Sequence, residues 1–442
     1  MADTLLLRGG TLLTVTGEVV EGDLYVEGGR IAAVGAGPAG ADEVIDVRGC
    51  LVVPGFVQAH VHLCQTLLRG LADDLDVIDW LRLRVWPLES SHDEASMAAS
   101  ARLGCAELLR GGTTTVLSME SVHHTDAVME AVVASGLRAT VGKALMDAWE
   151  PGTEMVGEST EEAWADLVRL VDRWHGTADG RLRVAVSPRG PRNATPELWR
   201  RAVALANERD LVLHTHVAEN RAQADRLGAR PEGRDAVALA GWGALSPRLV
   251  MAHSIWLDDT ERELVRRHRP SVCHCPSANL KLASGIAPVP GYLADGVNVA
   301  LGADGAPCNN RMDAFSEMRL AALLHKPGHG PRALPAALVL DMATMGGARA
   351  LGLDAEIGSL EVGKRADVTV VRRDSLHASP HAGGDPVADL VYAHTAADVD
   401  AVFVDGQPVV AGGRLLSLDE HELLTTAEDQ RQALLDRAPL SE

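Results

Sequence analysis

The sequence predicts an α/β protein, a (β/α)8 TIM barrel with a small β-sandwich-like domain built from both chain ends. Three observations carry that expectation. Eight apolar strand-like segments alternate with helical segments through the middle of the chain, both ends show short strands broken by glycine, and histidines and acids recur where the middle strands end. A barrel of this kind presents its functional residues at the C-terminal ends of its strands.

Near the start, residues 5–10, 24–29 and 31–35 read as short alternating strands, each closed by glycine at Gly9-Gly10, Gly28-Gly29 and Gly35. Glycine at such points supplies the positive φ of hairpin turns. Residues 367–371 and 401–406 repeat the pattern near the other end. Both ends therefore read as all-β. The economical arrangement is a composite β-domain of residues 1–54 and 360–442, with a barrel of residues 55–359 inserted between them.

The barrel begins with Val52-Val53-Pro54-Gly55-Phe56-Val57-Gln58-Ala59-His60-Val61-His62. Side chains alternate across a strand, so His60 and His62 share a face and can reach one ion. Further strands are expected at residues 113–117, 139–143, 182–186, 211–214, 249–253, 271–274 and 297–301, with helical stretches such as 94–110 and 195–209 between them. An open dinucleotide-binding sheet is disfavoured, because no Gly-x-Gly-x-x-Gly follows a strand.

Bulk composition narrows the function. At 442 residues and 46% hydrophobic content the chain can bury a large core. A net charge of −20 argues against gripping nucleic acid or an anionic membrane surface. The six cysteines lack disulfide-framework spacing, which suits a reducing cytoplasm. Met1-Ala2-Asp3-Thr4 carries an acid where a secretory signal would be positive. No apolar run approaches the roughly 20 residues of a membrane span. The sequence thus reads as a soluble, cytoplasmic protein acting on a small molecule, with homo-oligomer formation left open. Only four of the 41 basic residues are lysine, Lys143 among them, which singles those four out for their chemistry.

The polar residues fall where a barrel would use them. His60 and His62 end the first strand, His216 the fifth and His253 the sixth, and Asp304 follows the eighth. Three histidines and a carboxylate suit one divalent ion, Zn2+ by preference and Fe2+ as the alternative, with positions left for water and substrate. On the fifth strand His214 shares a face with His216 and either could ligate; His216 is nearer the end and stands in His-x-x-Glu spacing with Glu219. A second, bridged ion would need a further anionic ligand, whereas the fourth strand ends in Ser187-Pro188-Arg189, so one ion per chain is expected. Cys273-His274-Cys275 reads as strand interior, cysteine serving there as a small hydrophobe.

These residues carry a resemblance. Pro54-Gly55-Phe56 before His60-Val61-His62, His216 with Glu219, His253, and Leu301-Gly302-Ala303-Asp304-Gly305 together resemble the amidohydrolase superfamily. The stretches 68–75 leading to Trp80-Leu81, Trp86-Pro87-Leu88-Glu89, 277–282, 285–289 and 317–320 look like its adenosine-type deaminases, which act on 5′-deoxyadenosine, S-adenosylhomocysteine and methylthioadenosine. The likeness runs nearly the whole chain, to residues 358–367. The expected activity is a zinc-dependent hydrolytic deamination that turns an adenine nucleoside into the inosine-type product and ammonia. Zinc on His60, His62, His216 and Asp304 would bring the pKa of water down towards ~7. Glu219 is placed to deliver protons to the ring nitrogen and the leaving amine. The resemblance assigns to His253 and Asp304 the orientation of the attacking water and the developing oxyanion.

For the substrate, the resemblance implies that Glu89 binds the ribose hydroxyls. Lys143 stands where the S-adenosylhomocysteine enzymes place an arginine for the amino-acid carboxylate, and no second arginine occurs in residues 147–152, so a 5′-deoxy or otherwise uncharged 5′ group is expected. Arg189 occupies the place of a ring-binding histidine, as it does in guanine deaminases. A guanidinium offers only donors and would also favour a ring carbonyl. The alternatives are therefore a guanine, oxopurine or pterin deaminase, or an s-triazine chlorohydrolase or aminohydrolase. A non-catalytic scaffold is the distant one, since no metal ligand is missing.

Overall fold

The computed structural model describes residues 3–149, 154–228, 233–438 and 440. Met1 and Ala2, and Glu150, Pro151 and Gly152 of the loop in which a second arginine was sought, lie outside the described residues. The chain is an α/β fold whose middle is built on parallel strands. They are β1 (Phe56–His62), β2 (Thr113–Glu120), β3 (Arg138–Leu145), β4 (Leu182–Val184), β5 (Leu213–Val217), β6 (Leu249–His253), β7 (Ser271–His274) and β8 (Val299–Leu301).

Parallel pairing runs β1 to β2 to β3 to β4 in one sheet and β5 to β6 to β7 to β8 in a second. A parallel bridge from Val186 to Leu213 links them on one side. On the other, Asp304 and Gly305 pair with Val61 and His62 of β1. Strands buried on both faces read as continuous apolar runs, which is what made them visible in the sequence.

Helix Glu94–Arg110 starts at a capping box, Asp93 and Ser96 each satisfying the other's backbone amide. Helix Pro196–Arg209 takes Thr195 as its N-cap. β5 begins two residues later than expected and runs on through His216, because its five residues pair with all of β6, Leu213 against Leu249 through Val217 against His253. That extension puts His216 inside the strand end, held in register.

Both chain ends enter a single nine-stranded sheet. Strands Thr4–Leu13 and Cys50–Pro54 run side by side, and Cys50–Pro54 pairs antiparallel with Val368–Arg372 from the other end. Leu7, Leu12, Leu24, Val52, Val370 and Phe403 form the apolar layer on this sheet.

The sheet is tied to the parallel strands of the middle through charge. Arg138 on β3 donates to both oxygens of Asp367, at 2.7 and 2.9 Å, and to Asp405. Its side chain is only 4% exposed and that of Asp367 2%, so removing the guanidinium leaves the Asp367 carboxylate buried without its cation, while Asp405 keeps Arg365. Arg138→Met should lower unfolding free energy by about 3–5 kcal/mol. A chemical-denaturation midpoint that barely moves would mean the two elements are held by apolar packing alone.

The C-terminal end is not all-β as the sequence suggested. Residues Glu420–Arg437 form an 18-residue helix, capped by Asp419 accepting from the His421 and Glu422 amides. Leu423, Ala427 and Leu434 are its buried residues, and Ala427 and Leu434 join Leu67, Leu68, Leu88 and Ala99 in one apolar cluster. Arg431 donates to the Arg69 carbonyl and Arg437 to that of Ser91. The helix thus braces segment 63–91, which carries Gln65, Trp80, Trp86 and Glu89. Its apolar residues are sparse among charges, which is why the pattern escaped notice.

Candidate metal centre and active site

Five side chains from four strand ends converge at the C-terminal end of the parallel strands. His60, His62 and Asp304 offer ligand atoms within 4.8 Å of one another, as do His60, His216 and His253. The Asp304 Oδ1 lies 3.3 Å from Nε2 of both His60 and His62, and the Nε2 atoms of His62 and His216 face each other at 3.3 Å. The close approach of Asp304 to β1 needs Gly302, where a Cβ would lie 2.6 Å from the His60 carbonyl oxygen. Asp304 and His253 both adopt left-handed backbone, φ +65° and +68°, a conformation non-glycine residues hold mainly where the surrounding structure imposes it.

Hydrogen bonds behind the rings settle their tautomers. His62 donates through Nδ1 to the Met119 carbonyl at 2.6 Å, His216 to the Arg189 carbonyl at 2.6 Å, and His253 to the Asn279 side-chain oxygen at 2.8 Å. Each Nε2 is then a lone pair directed into the site, the arrangement metal-binding histidines use. His60 Nε2 is buried without a hydrogen-bond partner among the described residues, while its Nδ1 meets His214 Nε2 at 2.8 Å. His214 therefore sits behind His60 and orients it, while His216 turns its Nε2 towards that of His62. Burial pushes His60 down to about 4 and holds His214 and His216 well below the usual imidazole range. All three are neutral at pH 7, the form that binds a metal. An orphaned buried nitrogen among converging lone pairs and one carboxylate fits a divalent ion of the zinc type.

Glu219 follows β5 and lines the pocket, its carboxyl 4.0 Å from His253 Nε2. Burial, with the Asp304 charge adding to it, raises its pKa above the ordinary value despite the pull of His253. His253 Nε2 also stands 3.8 Å from Asp304 Oδ2. The residues expected to handle protons are thus side by side with those expected to hold metal.

The expected substrate residues fare differently. Arg189 faces the pocket rather than solvent and grips Glu89, with NH1 to Oε2 at 2.6 Å and NH2 to Oε1 at 3.2 Å. Gln65 adds a third donor to Glu89 at 2.7 Å. Burial alone would raise the Glu89 carboxyl, but the Arg189 charge and the hydrogen bonds from Arg189 and Gln65 together hold it below its usual value.

Lys143 requires a correction. Its Nζ is fully buried, bonded to the Val122 carbonyl and to Glu158 at 2.5 Å each, and it does not line the pocket. β3 continues two residues past it, to Leu145, so the side chain falls inside the packing of β3 instead of at its rim.

Sequence reading missed Gln65, Asn279 and Asp235. Gln65 lies five residues past His60 and Asn279 lies within the quoted 277–282 stretch, so both were within reach of a closer look. Asp235 carried no sequence signal.

Fold and site together define a metal-dependent hydrolase, with the catalytic groups at the C-terminal ends of parallel strands. Residues 51–409 match the Amidohydrolase family, and the chain belongs to that family. It is 41% identical over 441 residues, 98% of this chain and 99% of the relative, to a 5-methylthioadenosine/S-adenosylhomocysteine deaminase of Desulforudis audaxviator. It is 39% identical over 430 residues, 96% and 97% of the two chains, to a 5′-deoxyadenosine deaminase of Methanothermobacter thermautotrophicus. Among solved structures it resembles an adenosine deaminase from Xanthomonas campestris with bound zinc, at 32% identity and a TM-score of 0.90 over 98% of each chain.

Proposed function

We propose that this chain is a zinc-dependent deaminase that hydrolyses the exocyclic amine of an adenine nucleoside, releasing ammonia and the inosine-type product. The observation that carries the reading is Glu219, a half-buried carboxyl lying beside His253 and the His60, His62, His216 and Asp304 set. The near full-length likeness to relatives named as deaminases of adenine nucleosides supports the ring. The eight parallel strands of residues 55–359 are taken as a closed (β/α)8 barrel, and residues 1–54 and 360–442 as a composite β-domain.

A divalent ion held by His60, His62, His216 and Asp304 supplies Lewis acidity and a water acidic enough to lose its proton near neutral pH. The protein's own groups do the rest. Water adds to the ring carbon bearing the amine, and Glu219 passes a proton to the adjacent ring nitrogen. His253, its Nδ1 pinned by Asn279, directs Nε2 at the developing oxyanion, while Asp304 takes up the water's second proton. That second proton is passed through Glu219 to the amine, the carbon–nitrogen bond breaks as the ring carbonyl forms, and ammonia leaves.

Arg189 bears on the substrate. One N–H of each terminal nitrogen is spent on Glu89, which fixes the guanidinium against that buried carboxylate. Glu89 Oε2 takes one donor from Arg189 and retains accepting capacity for a sugar hydroxyl. This favours a nucleoside over guanine.

The test is kcat/KM measured side by side on 5′-deoxyadenosine, adenosine and guanine with the zinc-loaded protein. Both nucleosides are expected to exceed guanine; guanine ahead of both by more than tenfold would overturn the substrate while leaving deamination standing. Glu89→Ala should cut nucleoside kcat/KM by roughly 10- to 150-fold, the scale of a lost hydrogen bond to a charged group. Equal losses on a free base would give Glu89 a purely structural role.

A further inference from the structure

Asp235 lies on the pocket wall at the start of helix Asp235–Gly241 and is only 6% exposed. Its Oδ2 accepts from the Ala218 amide at 2.6 Å, immediately before Glu219. Its Oδ1 is buried and has no hydrogen-bond partner among the described residues. The carboxylate cannot readily swing elsewhere to find one. On one side Arg234 donates from Nε to Glu261 at 2.7 Å, and on the other the Ala236 amide donates to the same Glu261 at 3.0 Å, so the backbone around Asp235 is clamped.

An unsatisfied buried acceptor costs free energy unless something completes it. Everywhere else in the pocket wall the carboxylates have work: Asp304 faces the histidines, Glu219 faces His253, and the Glu89 behind it is gripped by Arg189. Asp235 is left with an acceptor and no donor. Burial pushes its carboxyl up to about 6, while the Ala218 amide and the nearby Arg192 charge keep it from rising further, so it is mostly ionised at neutral pH.

We propose that Asp235 is a substrate-binding residue, its Oδ2 fixing the turn before Glu219 and its Oδ1 accepting a hydrogen bond from an O–H or N–H group of the nucleoside. This rests on the deaminase reading. The donor is either a sugar hydroxyl or an amino group on the ring, and matched substrates separate the two: adenosine against 5′-deoxyadenosine, adenosine against 2′-deoxyadenosine, and 2-aminoadenosine against adenosine.

Asp235→Asn is the informative variant. Its amide oxygen can still accept from Ala218, but it presents a donor to the pocket where the wild type presents an acceptor. The wild type should favour the donor-bearing member of one pair by roughly tenfold or more in kcat/KM. The variant should erase that preference, and should do so through KM. A merely structural Asp235 would instead leave every ratio as in the wild type, and ratios unchanged within about twofold overturn the proposal.

Should the wild type deaminate none of these nucleosides but release ammonia or chloride from another ring, the functional reading fails separately. The proposal is then decided by KM on that ring, which Asp235→Asn must raise about tenfold and which an unchanged value refutes. Zinc content and circular dichroism establish that the variant is folded. If it is not, Asp235→Ser is read by the same ratios.

Discussion

Asp304→Ala is expected to lose turnover by roughly 10³-fold or more, with metal content falling well below one ion per chain. Asp304 is the one carboxylate of the proposed ligand set, and its Oδ1 sits 3.3 Å from two histidine nitrogens. Without it the set is three neutral imidazoles, and the anionic ligand that anchors a divalent ion is gone. His62→Ala should act the same way, since it removes one of the nitrogens facing that oxygen. The pair of readouts matters, because activity alone falls for many reasons. Full zinc with full turnover in either variant would sink the assignment. Asn279→Ala is the useful contrast: it only frees the His253 ring, and losses through a ligand's outer partner are typically about 10- to 100-fold.

Glu219→Gln should keep its metal and lose kcat by roughly 10²–10⁴, the scale of a removed general acid–base. The substitution preserves shape and hydrogen bonding but cannot carry the proton from water to the ring nitrogen and the amine. Glu219 is not within the groups that could hold an ion, so metal analysis should match the wild type. That separates it from Asp304, whose loss takes both. Burial raises the Glu219 pKa, so its proton leaves at a higher pH than for an ordinary glutamate. The limb of the kcat profile that reports this group should lie at higher pH than for an ordinary glutamate and vanish in Glu219→Gln. An unchanged kcat would assign proton transfer to another residue.

Much of this centre was legible in the linear chain, for reasons of periodicity. A strand turns every second side chain to the same face, so His60 and His62 had to share an ion if β1 was a strand. Buried parallel strands are apolar throughout, so seven further segments stood out, and the polar residues that punctuate them fell at their ends. Glu219 stands three positions after His216, which places the expected ligand and the expected proton carrier on one short segment.

What only the tertiary structure decided were matters of pairing and depth. His214 and His216 have the same periodicity, and a single contact, His214 Nε2 to His60 Nδ1 across 154 positions, sets one behind His60 while the other faces His62. Lys143 looked reserved for chemistry because lysine is scarce, yet β3 continues past it and Glu158 folds over it. Arg189 and Glu89, 100 positions apart, each suggested a contact with substrate, and three-dimensional proximity made them partners first. The C-terminal helix and Asp235 show the same limit. Local pattern dictates which face of an element a side chain occupies, but whether a charged group meets water, a substrate or an opposite charge depends on what the rest of the chain brings beside it. Burial makes that neighbour decisive, because a charge removed from water must be matched by whatever group is there.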